Sequence, residues 1–402
     1  MNILVINTGS SSIKYQLFAM DGPKVMAAGL VERIGDEGSR LRHRCWPDDP
    51  TRLRERIDEQ PIDDHKAGME RIVAALTDDT HGVIHGADQI DGVGHRVVHG
   101  GETFHAPARI DESVLESIRA NVPLAPLHNP ANLAGIEVAR ELFPDAPQVA
   151  VFDTAFHQTM PPHAFHYALP RHLYKLHHLR RYGFHGTSHA WVAREAANFL
   201  RRDLDTLNLV TLHLGNGASA TAIENGQSVD TSMGLTPLEG LIMGTRSGDI
   251  DPAIHSFLAE QESLSLGEID NLLNKHSGLK GICGSSDLRD IEKKASGGDR
   301  DAQLALDMYV YRIRKYVGAY WAVLGHVDAL VFTAGVGENA GRIRARVCEG
   351  LAGLGIEIDP DHNRELGPGV SALQSPDSSA AVLVVPTNEE LAIAEYTHEL
   401  IG

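Results

Sequence analysis

One local pattern occurs twice in this chain, and it limits the fold more than any other feature. Residues 3–22, ILVINTGSSSIKYQLFAMDG, read as an apolar strand, a turn of Gly and small hydroxyl residues, a second strand and a closing turn. Residues 209–227, LVTLHLGNGASATAIENGQ, repeat the plan. Ile3–Ile6 is the continuous apolar run of a buried strand, and Ile13–Phe18 alternates as its hairpin partner. Two copies predict a duplicated architecture with one strand–loop–strand unit per domain. The length agrees, since 402 residues exceed what one hydrophobic core organises. Between the copies, apolar positions at three- and four-residue spacing predict helices over 111–121 and 131–142. Thr187 and Ser188 are expected to cap a third helix, HAWVAREAANFL. The later segments alternate again: DALVFTAGVGEN is strand then turn, RIRARVCEGLAGLG helix then Gly stop, and AVLVVPTNEELAIAEYTHEL strand, turn, helix. The charged stretch 33–66 is expected to form surface excursions.

Several function classes are excluded early. A formal charge of −18 opposes binding to nucleic-acid phosphates, so any anion site here must gather its Lys, Arg and backbone N–H groups locally. No run of 18 apolar residues exists to cross a membrane, and the opening MNILVINTG reads as a strand rather than a signal peptide. Cys45, Cys283 and Cys348 have no metal-like spacing and cannot all pair, which points to a reducing cytoplasm.

The Gly-rich turns carry the candidate chemistry. In Asn7-Thr8-Gly9-Ser10-Ser11-Ser12, successive N–H groups can form an anion nest, with Lys14 as a point charge at its rim. In HLGNGAS, Asn216-Gly217 is a type I′ hairpin signal. His95, His99, His128, His157 and His185 stand in or near Gly- or Pro-containing turns, without the paired spacing that zinc requires. Thr231–Pro252 has too many Gly, Pro and small residues for a plain helix or strand, and Arg246 inside it is the type of side chain that recognises carboxylate or phosphate. TAGVGENA fits a dinucleotide fingerprint, with Asp359 as the acid about twenty residues on. Glu338 opposes a pyrophosphate there, so a single nucleotide suits the loop better.

NTGSSSIKY, HRVVHGG, PLAPLHNPANL, FDTAFHQTMP, RRYGFHGTSH, HLGNGAS, DTSMGLTPLEGLIMGTRSGDIDP, FTAGVGEN and PTNEELAIA occur in that order over essentially the whole chain, and together they resemble the acetokinase family. The resemblance implies an α/β fold of two duplicated ribonuclease-H-like (actin-like ATPase) domains with a nucleotide cleft between them. It implies 1–150 plus about 386–402 as the N-terminal domain. Residues 151–385 would form the C-terminal domain, with the adenosine site and a homodimer interface. The implied activity is reversible, Mg²⁺-dependent transfer of the ATP γ-phosphoryl group to acetate, giving acetyl phosphate and ADP, with Mn²⁺ as a substitute metal. Propionate or butyrate is the alternative acyl substrate.

By the same resemblance Asn7 and Glu389 hold Mg²⁺, and Lys14 lies near the nucleotide phosphates. Arg96 binds the acyl carboxylate beside His128, in a methyl pocket walled by Val98, Leu127, Phe184 and Pro237. Asp153 is the catalytic acidic residue, and His185 and Arg246 stabilise the transition state. His213, Leu214, Gly215, Asn216 and Gly217 flank the phosphates. Asp287, Leu288, Arg289, Gly335, Val336, Gly337, Glu338 and Asn339 line the adenosine site, although HSGLKGICGSSDLRD is a residue shorter than the family segment. Acetate is ionised at neutral pH and needs no base. Asp153 is therefore expected to orient Mg²⁺-bound water or Arg246. Two rivals from other classes are a nicotinamide-dependent oxidoreductase, resting on GVGENA alone, and a non-enzymatic actin-like ATP-binding switch.

Overall fold

The hydrophobic run of the first strand is continuous because both of its faces are covered. In the computed structural model, which describes residues 1–402, β1 (Asn2–Thr8) sends Leu4 and Ile6 into one apolar cluster and Ile3 and Val5 into another. The chain divides into two compact units, Met1–Ala155 with Asn388–Gly402, and Phe156–Thr387. The first unit therefore runs past residue 150 and takes Asp153 with it.

Unit 1 is built on an eight-stranded sheet. Its strands are β1, β2 (Ser12–Ala19), β3 (Lys24–Glu32), β4 (Arg40–Cys45), β5 (Arg54–Asp58), β6 (Gly92–Val97), β7 (Ala108–Arg109) and β8 (Gln148–Phe152), in the order β5-β4-β3-β2-β1-β6-β8-β7. β1 to β5 form an antiparallel meander, β6 runs parallel to β1, and β8 runs parallel to β6. Helices His65–Leu76 and Asn129–Leu142 contribute Met69, Ile72 and Ala139 to the cluster under Leu4 and Ile6. The helix Glu389–Ile401 covers Ile3 and Val5 with Ile393 and Ala394.

Unit 2 repeats the topology. β9 (Asn208–Leu214), β10 (Ala218–Glu224) and β11 (Gln227–Thr231) form the meander, β12 (Ala329–Thr333) is parallel to β9, and β14 (Ala381–Val384) is parallel to β12. The short β13 (Ser371–Ala372) closes the order β11-β10-β9-β12-β14-β13. Helix Gly186–Leu200 lies on β9 and β12, and helix Arg300–Leu324 on β10 and β9. The duplicated hairpins β1–β2 and β9–β10 thus each stand within the same five-strand order.

Four local expectations are corrected. Residues 33–66 are not all surface excursion. They supply β4 and β5, with Leu41, Cys45 and Ile62 in the core, and the alternation of RLRHRC was hidden because its outward partners are arginines. The helix expected to start at Thr187-Ser188 begins at Gly186 instead. His185 is its N-cap in the left-handed region (φ 58°), while Thr187 and Ser188 are buried inside the first turn. Neither Asn216 nor Gly217 has positive φ, so the β9–β10 turn is not type I′. Gly215 N–H donates to Gly217 O across it, as Gly9 N–H donates to Ser12 O in the first hairpin. Gly335–Asn339 is helical rather than a turn, and Asp359 ends no strand. Its carboxylate caps the helix Pro360–Arg364 by accepting from Asp361 and His362 N–H, which leaves the dinucleotide fingerprint without its acid.

Candidate active site

In unit 1 the period of two along a strand does the placing. Val5, Gly94 and Val151 stand on the sheet face covered by the helix Glu389–Ile401. Two residues further along the parallel strands, at or just past their carboxyl ends, come Asn7, Arg96 and Asp153. Lys14 is the register partner of Asn7 across the first hairpin. Glycine lets the helix approach. A Cβ on Gly94 would lie 2.4 Å from Thr397 Oγ1 and 2.7 Å from Ile393 Cγ2. One turn before Ile393, the helix begins at Glu389, beside Arg96.

The charges there are tightly interlocked. Arg96 Nη2 donates to Asp153 Oδ2 at 2.9 Å, and its Nε lies 4.0 Å from Glu389 Oε2. Burial opposes the Arg96 charge, but Asp153 and Glu389 outweigh it and raise its pKa. Burial, then Asp153, pushes the Glu389 carboxyl up to about 7, with Arg96 pulling the other way. Lys14 pairs with Glu390, the next residue. Asp153 thus accepts from Arg96 through Oδ2. Val98 is buried, His128 half-buried, and Leu127 stands 70% exposed, so unit 1 does not by itself enclose Leu127 as a pocket wall.

Two residues missed from the sequence shape this region. Asn132, buried in the first turn of helix Asn129–Leu142, accepts from Val98 N–H at 3.0 Å and donates to Thr8 O at 2.8 Å. Asn129 accepts from His99 N–H and donates to His99 O. Both belong to PLHNPANL. Two asparagines three residues apart around Pro130, at a helix start, are the signal that could have found them.

In unit 2 the corresponding hairpin forms the centre. A Cβ built on Gly217 would meet His185 Nε2 at 3.4 Å and Arg246 Nη1 at 3.5 Å, so the turn, the imidazole and the guanidinium converge on one point. Asn216 is fixed by Gly244, whose N–H donates to Asn216 O at 3.0 Å and whose missing Cβ would fall 2.2 Å from Asn216 Oδ1. Arg246 has no carboxylate partner. Its contacts are Pro237 O at 3.4 Å and Met243 Sδ at 3.8 Å, and burial alone pushes its pKa down. Phe184 is buried, and its carbonyl accepts from His157 Nε2.

Beside this point lies a cavity of about 380 Å³ whose lining includes Gly215, Asn216, Asp287, Leu288, Arg289, Gly335, Val336 and Asn339. That volume suits a nucleoside-sized ligand. Gly244, Leu279, Ser286, Glu292, Tyr309 and Ala340 complete the lining and were not foreseen. Gly337 and Glu338 do not reach it. Their carbonyls accept from the buried Arg344, and the Glu338 carboxylate accepts from Thr387 N–H. His213 and Leu214 also stay outside, although His213 stacks on His185 with ring centroids 4.0 Å apart. Arg289 holds the Asp287 carboxyl down at about 2.

No three His, Cys, Asp or Glu side chains gather as a metal cluster, and no helix is long and apolar enough to cross a membrane. Comparison with known proteins gives one consistent answer. The model of the Acetokinase family matches residues 2–395. Acetate kinase of Syntrophobacter fumaroxidans is 53% identical over all of this chain and 97% of its own length. The crystal structure of Porphyromonas gingivalis acetate kinase has 46% identity and a TM-score of 0.95, covering 100% of both chains. A propionate kinase from Francisella tularensis has 42% identity and a TM-score of 0.91, covering 99% of both.

Proposed function

The chain belongs to the acetokinase family and is a kinase that transfers a phosphoryl group between ATP and acetate, and on that premise we propose how its residues divide the work. Unit 1 handles the acyl group and the metal, and unit 2 handles the nucleotide and the transferring phosphoryl. The observation that carries this assignment is Arg246, a guanidinium short of water and of any carboxylate, aimed at the same point as His185 Nε2.

Acetate arrives as an anion, so the chemical problem is repulsion between it and the phosphates rather than its activation. Arg96 binds the acetate carboxylate, and Asp153 holds the Arg96 fork in place through the 2.9 Å bond. Arg246 and His185 donate to the equatorial oxygens, where charge spreads in the transition state, with Asn216 and the Gly215–Gly217 backbone alongside. Lys14 adds positive charge near the phosphates. The adenosine occupies the cavity between Asp287–Arg289 and Gly335–Asn339.

Magnesium fits the oxygen donors present. Asn7 and Glu389 would hold it, and a Glu389 carboxyl raised to about 7 by burial and by Asp153 marks surplus negative potential that a cation relieves. When bound, the ion neutralises phosphate charge. Mn²⁺, with the same preference for oxygen, would substitute. The three free thiols support a reducing cytoplasm. A homodimer through unit 2 is supported by Leu304, Met308 and Tyr311, exposed along one stripe of helix Arg300–Leu324. Light scattering on the purified protein tests it.

The activity is tested by trapping acyl phosphate as hydroxamate from ATP, Mg²⁺ and acetate, propionate or butyrate in parallel. Acetate should give the most product. Propionate, the substrate named for the Francisella relative, should be slower by about 10- to 200-fold, since one methylene separates substrates by roughly 1–3 kcal/mol. No hydroxamate from folded protein that still binds ATP would sink the reading.

A further inference from the structure

The hydrogen bonds behind His185 leave one proton to be assigned, and its position decides what the ring can do. His185 Nδ1 and His189 Nε2 each lie 2.8 Å from the Ser219 hydroxyl, and His189 Nδ1 lies 2.7 Å from Thr211 Oγ1. Ser219, His189 and Thr211 have no exposed surface, so the chain of bonds is closed to water. Burial, with His157 and His213 adding to it, holds the His189 pKa well below its ordinary value. His189 is therefore neutral and carries one N–H. Ser219 carries one proton and two lone pairs, so it can donate to one of the two rings at most and has a lone pair to accept from the other.

We propose that Ser219 is a positioning residue for phosphoryl transfer: it accepts from His189 Nε2–H and donates to His185 Nδ1, which keeps the His185 proton on Nε2. Thr211 then donates to the remaining lone pair of His189. This rests on the reading of His185 as a donor to the transferring phosphoryl group. Nε2 is the nitrogen that faces Gly217 and Arg246. With the proton there, a neutral imidazole presents an N–H to an anionic oxygen. The other tautomer would present a lone pair and repel it. The plane of the ring is fixed separately. His213 stacks on it at 17°, and the His213 Nδ1 is itself held 2.8 Å from Ser188 Oγ. Ser219 touches no reacting atom and acts only through His185, as outer partners do for metal-bound histidines.

The test compares kcat and both KM values of Ser219→Ala, His185→Ala and the double variant, and reads the side-chain ¹⁵N spectrum of the wild-type histidines. Ser219→Ala should lower kcat by about tenfold or more, with KM for ATP and acetate changed by less than about twofold. In the His185→Ala background it should cost nothing further. The His185 signals, identified by their loss in His185→Gln, should show a protonated Nε2 and a bare Nδ1. If His185→Ala keeps wild-type kcat, the donor reading fails and the relay with it. If His185→Ala is impaired but Ser219→Ala is not, or if the wild-type proton is on Nδ1, the relay alone is overturned. Should Ser219→Ala not fold, the wild-type spectrum decides by itself.

Discussion

A guanidinium that has lost hydration without gaining a carboxylate holds its charge at a cost, and Arg246 is in that position. Its fork is preorganised for an anion that arrives only with substrate. Arg246→Ala should therefore lower kcat by about 10²- to 10³-fold, roughly 2.7–4 kcal/mol, with a much smaller rise in KM for either substrate. Steady-state kinetics on the folded variant checks this, and a wild-type kcat would remove Arg246 from the mechanism. His95 makes a contrasting case, because its role is structural. It is buried in β6 with Nε2 2.8 Å from Gln148 Oε1, and burial pushes its pKa down to about 4. A base with a depressed folded pKa contributes stability that is present above its unfolded value of about 6.5, and loses it as pH falls toward 4. His95→Gln should flatten the loss of stability between pH 6.5 and 4 by up to about 3 kcal/mol, read from urea midpoints across that range. Arg246 was legible as a candidate because a lone arginine in a Gly- and Pro-rich loop has few structural uses. His95 was singled out for the turn beside it and proved to be core, because sequence does not show what lies behind a strand.

The elements that aim these side chains depend on small residues at close approaches. Gly94 lets the helix Glu389–Ile401 lie against β6, and that contact brings Glu389 to Arg96. Gly94→Ala inserts a methyl group where 2.4 Å is available. It should destabilise by about 1–3 kcal/mol and raise the Mg²⁺ concentration needed for half-maximal activity. Thermal melts and a Mg²⁺ titration read the two effects, and an unchanged titration would mean that Glu389 keeps its place without the contact. Asn132→Ala removes the amide that joins Thr8 O to Val98 N–H. It leaves two buried backbone groups unpaired, at about 1–3 kcal/mol each, and should raise KM for acetate more than KM for ATP. The hairpins, the helix over 131–142 and the closing helix could be read from periodicity. β4 and β5 could not, because arginine on their outer face imitates a surface loop.

At the scale of the chain, one topology occurs twice and carries different chemistry each time. Unit 1 gathers Asn7, Arg96, Asp153 and Glu389, and unit 2 gathers His185, Asn216 and Arg246 beside a cavity of about 380 Å³. ADP with Mg²⁺ should slow amide exchange at 215–217, 286–289 and 335–340 while leaving β4 and β5 untouched. Exchange mass spectrometry checks it, and protection confined to unit 1 would move the adenosine site. The sequence by itself determined the duplication, with one strand–loop–strand unit in each half, and the residue types of the site, because periodicity and turn chemistry are local. Only the tertiary structure decided that Asp153 grips Arg96, that Glu338 turns away to Thr387, and that Ser219 lies between two histidines. Those pairings join residues 30 to 57 positions apart, and their geometry depends on which strands lie side by side.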